Sequence, residues 1–241
     1  MTTTAQRSPR WATALLWVGL AVLAAIVAVF VLILWVAHGI GRGTPQPNVT
    51  AFARSDSVRR ADRTTAAWLD GQLAQLNREA RWLRPAGPSV HDECSTAPAS
   101  PAGLGGVSSW ITTCSRTQSG YYAYAGGADR IAALERALGS LGWEAFTVTP
   151  QSLEADHATQ AGSSEATLSV SWISPATPQA VARLLTRYRA VYGGSLRNGA
   201  VTVLQAIPPD PSRIMRAVVP PDTNLFVVTL QVAYATSPPS S

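Results

Sequence analysis

The chain predicts an α+β fold, an antiparallel sheet with helices on one face, carried behind one N-terminal transmembrane helix. Three observations lead there. Trp11 to Ala37 contains no charged residue, and about 20 apolar residues already span the roughly 30 Å hydrocarbon core of a bilayer as a helix. Beyond that run, apolar stripes at helical spacing alternate with short β-branched and aromatic segments. The only two cysteines, Cys94 and Cys114, both follow the apolar run, and a minimal even count is what an oxidising compartment tends to leave.

Residues 1–10 read as a short cytoplasmic tail and residues 11–37 as the anchor. Trp11, Trp17 and Trp35 sit near its ends, where indole rings favour the headgroup layer. A secretory signal has an apolar region of only about 7–15 residues before its cleavage site, so the length favours an uncleaved signal anchor. Arg7, Arg10 and the terminal amine crowd one flank, whereas residues 38–53 hold only Arg42. That asymmetry puts the N-terminus in the cytoplasm and the C-terminal domain outside, a single-pass cell-membrane protein.

Residues 38–56 read as a linker, because Gly-Arg-Gly-Thr-Pro-Gln-Pro neither packs nor extends a helix. Residues 57–84 form a juxtamembrane amphipathic helix: Leu69, Leu73, Leu76, Ala80 and Leu83 step by four, three, four and three, and Pro85 stops it. The stripe alone leaves open whether this helix packs on its own domain or forms a dimerising stalk. Charge is uneven. From Arg42 to Arg84 eight arginines oppose Asp56, Asp62, Asp70 and Glu79, whereas from Pro85 to Ser241 nine arginines oppose ten acids. The basic excess lies beside the membrane, where cations attract anionic headgroups or simply form a solvated face. The lipid bilayer is thus an expected partner, and nucleic acid is not, since the distal domain lacks a basic patch.

Residues 85–235 form the extracytoplasmic domain. Cys94 lies in a Pro-, Ser- and Gly-rich stretch, His91 to Gly106, that reads as a loop. A disulfide to Cys114 would pin it, closing about 20 residues for on the order of 3 kcal/mol. Val107–Arg116 and Tyr121–Ala125 read as a hairpin turning at Thr117–Gly120. Ile131, Leu134, Leu138 and Leu141 mark a helix that Asp129 starts and Gly142 ends. Trp143–Val148 is a strand, a polar loop carries His157, and Leu168–Ile173 is the next strand. Thr177-Pro178 opens a helix with Val181, Leu184, Leu185, Tyr188 and Val191 on its stripe, stopped by Gly193-Gly194. Strands at Ala200–Ile207 and Leu225–Ala235 flank a short segment near Ser212–Val218, and residues 236–241 read as a disordered tail. From Tyr121 to Ile207 the order is β-α-β-β-α-β, a ferredoxin-like core to which the remaining strands are added.

Chemistry leaves few marks. All nineteen basic residues are Arg, which removes Schiff-base and phosphate-loop lysines, and GxSxG, HExxH and GxGxxG are absent. No catalytic, cofactor-binding or metal-binding residue is assigned. His91-Asp92-Glu93 and Glu154-Ala155-Asp156-His157 contain ligand-type side chains, but in expected loops they read as solvated. The one possible binding cluster is Tyr121, Tyr122 and Tyr124 beside Gly126-Gly127, whose rings could stack on glycans or a peptide. Strand alternation puts Tyr122 and Tyr124 on one face and Tyr121 on the other, so at least one face is core.

With its Ala, Arg, Pro and Trp bias and no Lys, the chain resembles the uncharacterised single-pass envelope proteins of high-GC Gram-positive bacteria. The resemblance covers composition and layout and implies no functional residue. The expected function is a membrane-anchored extracytoplasmic domain that binds a protein or envelope component, more a binder than an enzyme. The alternatives are a cell-envelope hydrolase or transferase without a familiar motif, or a structural subunit of a membrane complex. A deep cleft gathering His91 or His157 with acids would favour the enzyme.

Overall fold

The computed structural model describes residues 23, 25–33, 46–99, 109–127, 129–149, 152–158, 165–194, 201–220 and 222–238. Residues 25–33 are α-helical, and their large apolar side chains are exposed. Among the described residues no helix is long and apolar enough to cross a membrane. Most of the anchor expected over residues 11–37, and all of the tail over 1–10, lie outside the described residues.

The sheet and its helices belong to a compact unit of Gln46–Ala97 and Trp110–Ser240. Its elements are α1 (Val49–Ala53), α2 (Asp56–Glu79), β1 (Arg84–Pro98), β2 (Trp110–Ala125), α3 (Asp129–Ser140), β3 (Glu144–Val148), β4 (Ser152–Ala158), β5 (Glu165–Ile173), α4 (Pro178–Gly194), β6 (Val201–Ile207), α5 (Pro211–Ala217) and β7 (Thr223–Thr236). The seven strands form one antiparallel sheet in the order β3-β4-β5-β7-β2-β1-β6. The fold is mixed α+β, and the last strand lies at its centre.

Helix starts follow local chemistry. The Asn48 side chain accepts from the Ala51 amide at 3.0 Å and caps α1, while the Thr50 hydroxyl lies 2.9 Å from that of Thr202 on β6. The linker expected to reach residue 56 therefore ends at Asn48. Ser55 accepts from the Val58 amide and caps α2, satisfying one of the donors that a first turn leaves unpaired. Leu69, Leu73 and Leu76 face inward as their spacing requires. Gly142, with φ +87, takes the left-handed conformation that ends α3.

Alternate residues of the central strands enter two cores. Tyr122, Tyr124, Phe226, Val228 and Leu230 pack with Leu69, Leu73 and Leu76 of α2 and Leu134 and Leu138 of α3. Tyr121, Leu225 and Val227 point the other way and pack with Val181 and Leu185 of α4 and Ile214 of α5. A fully buried side chain of this size contributes roughly 1.5–3 kcal/mol. Both faces of the sheet are therefore covered, where the sequence predicted helices on one face.

Three further expectations change. The proposed hairpin is a single strand: β2 runs unbroken from Trp110 to Ala125, and Thr113–Ala125 is paired along Thr223–Thr236 of β7. Thr117–Gly120 resembles a turn only in composition, because Ser119 bonds to Thr229 at 2.9 Å and Gln118 reaches α2. The supposed loop around Cys94 is strand β1, held by β6 on one side and β2 on the other. Likewise, His157 falls in β4, paired to β5, rather than in a loop. Together these replace the expected β-α-β-β-α-β order by β-α-β-β-β-α-β, with β7 inserted between β5 and β2.

The Cys94–Cys114 disulfide links β1 to β2, with Cα atoms 3.9 Å apart, nearer than the usual 4.4–6.8 Å. Both cysteines are fully buried in the first core. The bridge ties two sheet strands together rather than a loop to a strand.

Candidate functional site

α2 packs on the side of the first core, and in its first half Asp62 turns inward while the neighbouring arginines stay exposed. There one buried guanidinium gathers side chains from five elements. Arg116 on β2 donates through one terminal nitrogen to Asp62 of α2 at 2.8 Å and to Asp92 of β1 at 3.2 Å. Its other terminal nitrogen donates to the Gln205 side chain of β6 at 2.9 Å. Tyr234 of β7 donates to the second oxygen of Asp92 at 2.8 Å. Strand alternation explains the meeting: Asp92 is paired in register with Gln205, and Arg116 with Val232.

Two carboxyls beside one guanidinium make a distinctive electrostatic unit. Asp92 is 1% exposed, and burial, then the hydrogen bond with Asp62, push its carboxyl from 3.8 up to about 7, against the lowering pull of Tyr234 and Arg116. Burial, aided by the neighbouring Asp92 charge, holds the Tyr234 phenol well above its usual range. The Asp92 carboxyl can therefore keep its proton toward neutral pH. A carboxyl poised there is what acid–base chemistry uses. Here the enclosure favours a clamp: Arg116 is 7% exposed, and its Nε has no hydrogen-bond partner among the described residues. Further along α2, Gln118 donates to Asp70 at 2.6 Å and the Trp143 indole donates to Gln72 at 3.1 Å.

The residues singled out from sequence are distributed differently. Tyr121, Tyr122 and Tyr124 are 0%, 3% and 2% exposed, so they are core rings and present no platform to a glycan. Burial raises the Tyr122 and Tyr124 phenols to about 12. Their division between faces is as alternation requires. Tyr124 stacks on Phe226 with centroids 4.0 Å apart, Trp82 stands edge-on to both, and Trp172 edge-on to Phe226. Trp82 and Trp172 are the half-buried members, and the Arg130 guanidinium lies 5.0 Å from the Trp82 ring.

The His91-Asp92-Glu93 triplet is split by the strand it occupies. His91 pairs with Glu93 at 2.9 Å on one face while Asp92 turns to Arg116 on the other. Among the described residues no group of three or more His, Cys, Asp or Glu is placed to hold a metal ion. The side chains of Asp156 and His157 lie outside the described residues, as does Ser195.

Sequence reading missed Asp62, Arg116, Gln205 and Tyr234 altogether. Local spacing held no signal for them, since they come from four elements with Asp92 on a fifth. The one available clue was an Arg in the middle of a β-branched, otherwise uncharged run. Compared with known proteins, the chain matches no family model, and neither curated proteins nor solved structures give a significant match.

Proposed function

We propose that this protein is a membrane-anchored extracytoplasmic domain that binds a protein partner of the cell envelope, with residues 11–37 as the anchor. The location half of this reading is supported by an uncharged stretch of membrane-spanning length followed by a domain whose only two cysteines are joined in a buried disulfide, as suits an oxidising compartment.

The observation that carries the binding half is β6. It pairs with β1 along one side and is the outermost strand of the described sheet. It has no charged residue, and Leu204 and Ile207 are 39% and 43% exposed. Edge strands are commonly guarded by charge or proline because their free backbone groups accept a further strand. An unguarded one suits a partner that adds an extended segment.

Photocrosslinking from position 204 in intact cells tests the reading. A discrete adduct is expected that is absent from position 183 and lost when Ile207→Lys charges the edge. Equal labelling from both positions, or protection of the domain from protease added outside the cell, would sink it.

A further inference from the structure

The arginines that follow the linker gather on one outward surface of the folded unit. Arg54, Arg59, Arg60 and Arg63 are all exposed, and at about 100° per residue the last three occupy one side of α2. The buried stripe of Val58, Leu69, Leu73 and Leu76 takes the other. Arg59 donates to the Arg54 carbonyl at 2.9 and 2.7 Å, which fixes the corner between α1 and α2.

The acids of the same segment are divided. Asp62 turns inward to Arg116, leaving Asp56 outside at 3.8 Å from Arg59. Four outward arginines against one outward acid leave an excess of three positive charges. Arg54, Arg60 and Arg63 have no acidic partner among the described residues.

The connection between the apolar run and this surface is short. Only residues 38–47 separate the apolar run from Asn48, the cap of α1, and ten residues reach at most about 36 Å even when fully extended. Screening confines attraction between exposed charges to about 8 Å. If residues 11–37 span a bilayer, a connection that short lets the arginines reach its headgroups.

Resting on the reading that residues 11–37 span a bilayer, we propose that the Arg54–Arg63 surface docks on the anionic headgroups of that same membrane and sets how the domain stands on it. Docking would leave the β6 edge to its partner at a fixed height.

The test uses the full chain reconstituted in vesicles, with a nitroxide on Ala67→Cys. Ala67 is exposed on the same side of α2 as Arg60 and Arg63, and the native cysteines are bridged, so the label has one target. In phosphatidylglycerol–phosphatidylcholine vesicles the label should be shielded from a water-soluble relaxant, and in phosphatidylcholine alone it should stay accessible. Replacing Arg54, Arg60 and Arg63 together by Gln should lower the docked-to-free ratio about 100-fold, at about fivefold for each cation near a charged surface. A label on Ser212→Cys should read the same in every case.

Equal accessibility in both vesicle types, with the chain floating with them, overturns docking alone. Arginine-dependent shielding by soluble polyphosphate on neutral vesicles overturns it in favour of a soluble polyanion. Failure to float with either vesicle overturns the anchor, and the docking with it.

Discussion

Asp92→Asn should make the protein more stable at alkaline pH and change it little in acid. In the folded protein the Asp92 carboxyl is raised from 3.8 to about 7. Between those values the folded state holds a proton that the unfolded chain has released. Its stabilising contribution is therefore fully present below about pH 4 and is lost as pH rises through about 7. At about 1.4 kcal/mol per pH unit, the span corresponds to at most about 4 kcal/mol. Asn keeps the shape of the neutral acid. Its oxygen can accept from Arg116 or Tyr234, and its amide can donate toward Asp62.

The assay is urea unfolding of the detergent-solubilised full chain at a series of pH values, comparing D92N with the parent so that all other titrations cancel. Near pH 4 the two should agree within about 1 kcal/mol. At pH 8 the variant should be more stable by about 2–4 kcal/mol. A difference that does not change between pH 4 and 8 would show that Asp92 is ionised throughout, paired simply with Arg116, and would refute the raised carboxyl.

Two other perturbations probe the sheet. Replacing Cys94 and Cys114 together by Ala removes a bridge of sequence separation 20, and the unfolding free energy should drop by about 3 kcal/mol; an unchanged urea midpoint would mean that the strands hold each other without it. Gly120→Ala puts a Cβ 2.6 Å from the ring of Tyr122, which is 3% exposed. A cost of about 1–3 kcal/mol is expected from overpacking, and Tyr122→Phe combined with it should recover part of that loss, since the phenol oxygen is among the atoms met.

What could be read from sequence was what local spacing encodes. The stripe of α3, the stop at Gly142, the α2 stripe as far as Leu76 and the described part of the α4 stripe, Val181 to Leu185, depend on residues three or four apart and stand where the pattern put them. The expected helix over 57–84 instead ends at Glu79, so Leu83 lies in the turn before β1 and Pro85 within that strand. Strand β1 was missed because its Pro-, Ser- and acid-rich sequence has low strand propensity; neighbours on both sides supply the pairing that overrides it. Thr117–Gly120 misled for the opposite reason, its turn-like residues being spent on contacts with α2 and β7. The Asp62–Asp92–Arg116 group was out of reach, because its members are 24 and 54 positions apart and meet only through sheet register and the docking of α2. For the tyrosines, alternation gave the faces, but what covers each face is a tertiary fact.

The central place of β7 has a consequence for how the chain reaches this structure. Among the described strands β7 comes last in chain order, and it alone joins β5 to β2. Until it arrives, the sheet exists as two incomplete halves, β3-β4-β5 and β2-β1-β6, with no hydrogen bond between them. Pairing of β2 with β7 bridges about a hundred residues, so a long loop must close before either core is sealed. Closure of both cores therefore waits for β7, and the two halves become one cooperative sheet only when that single strand pairs on both of its sides.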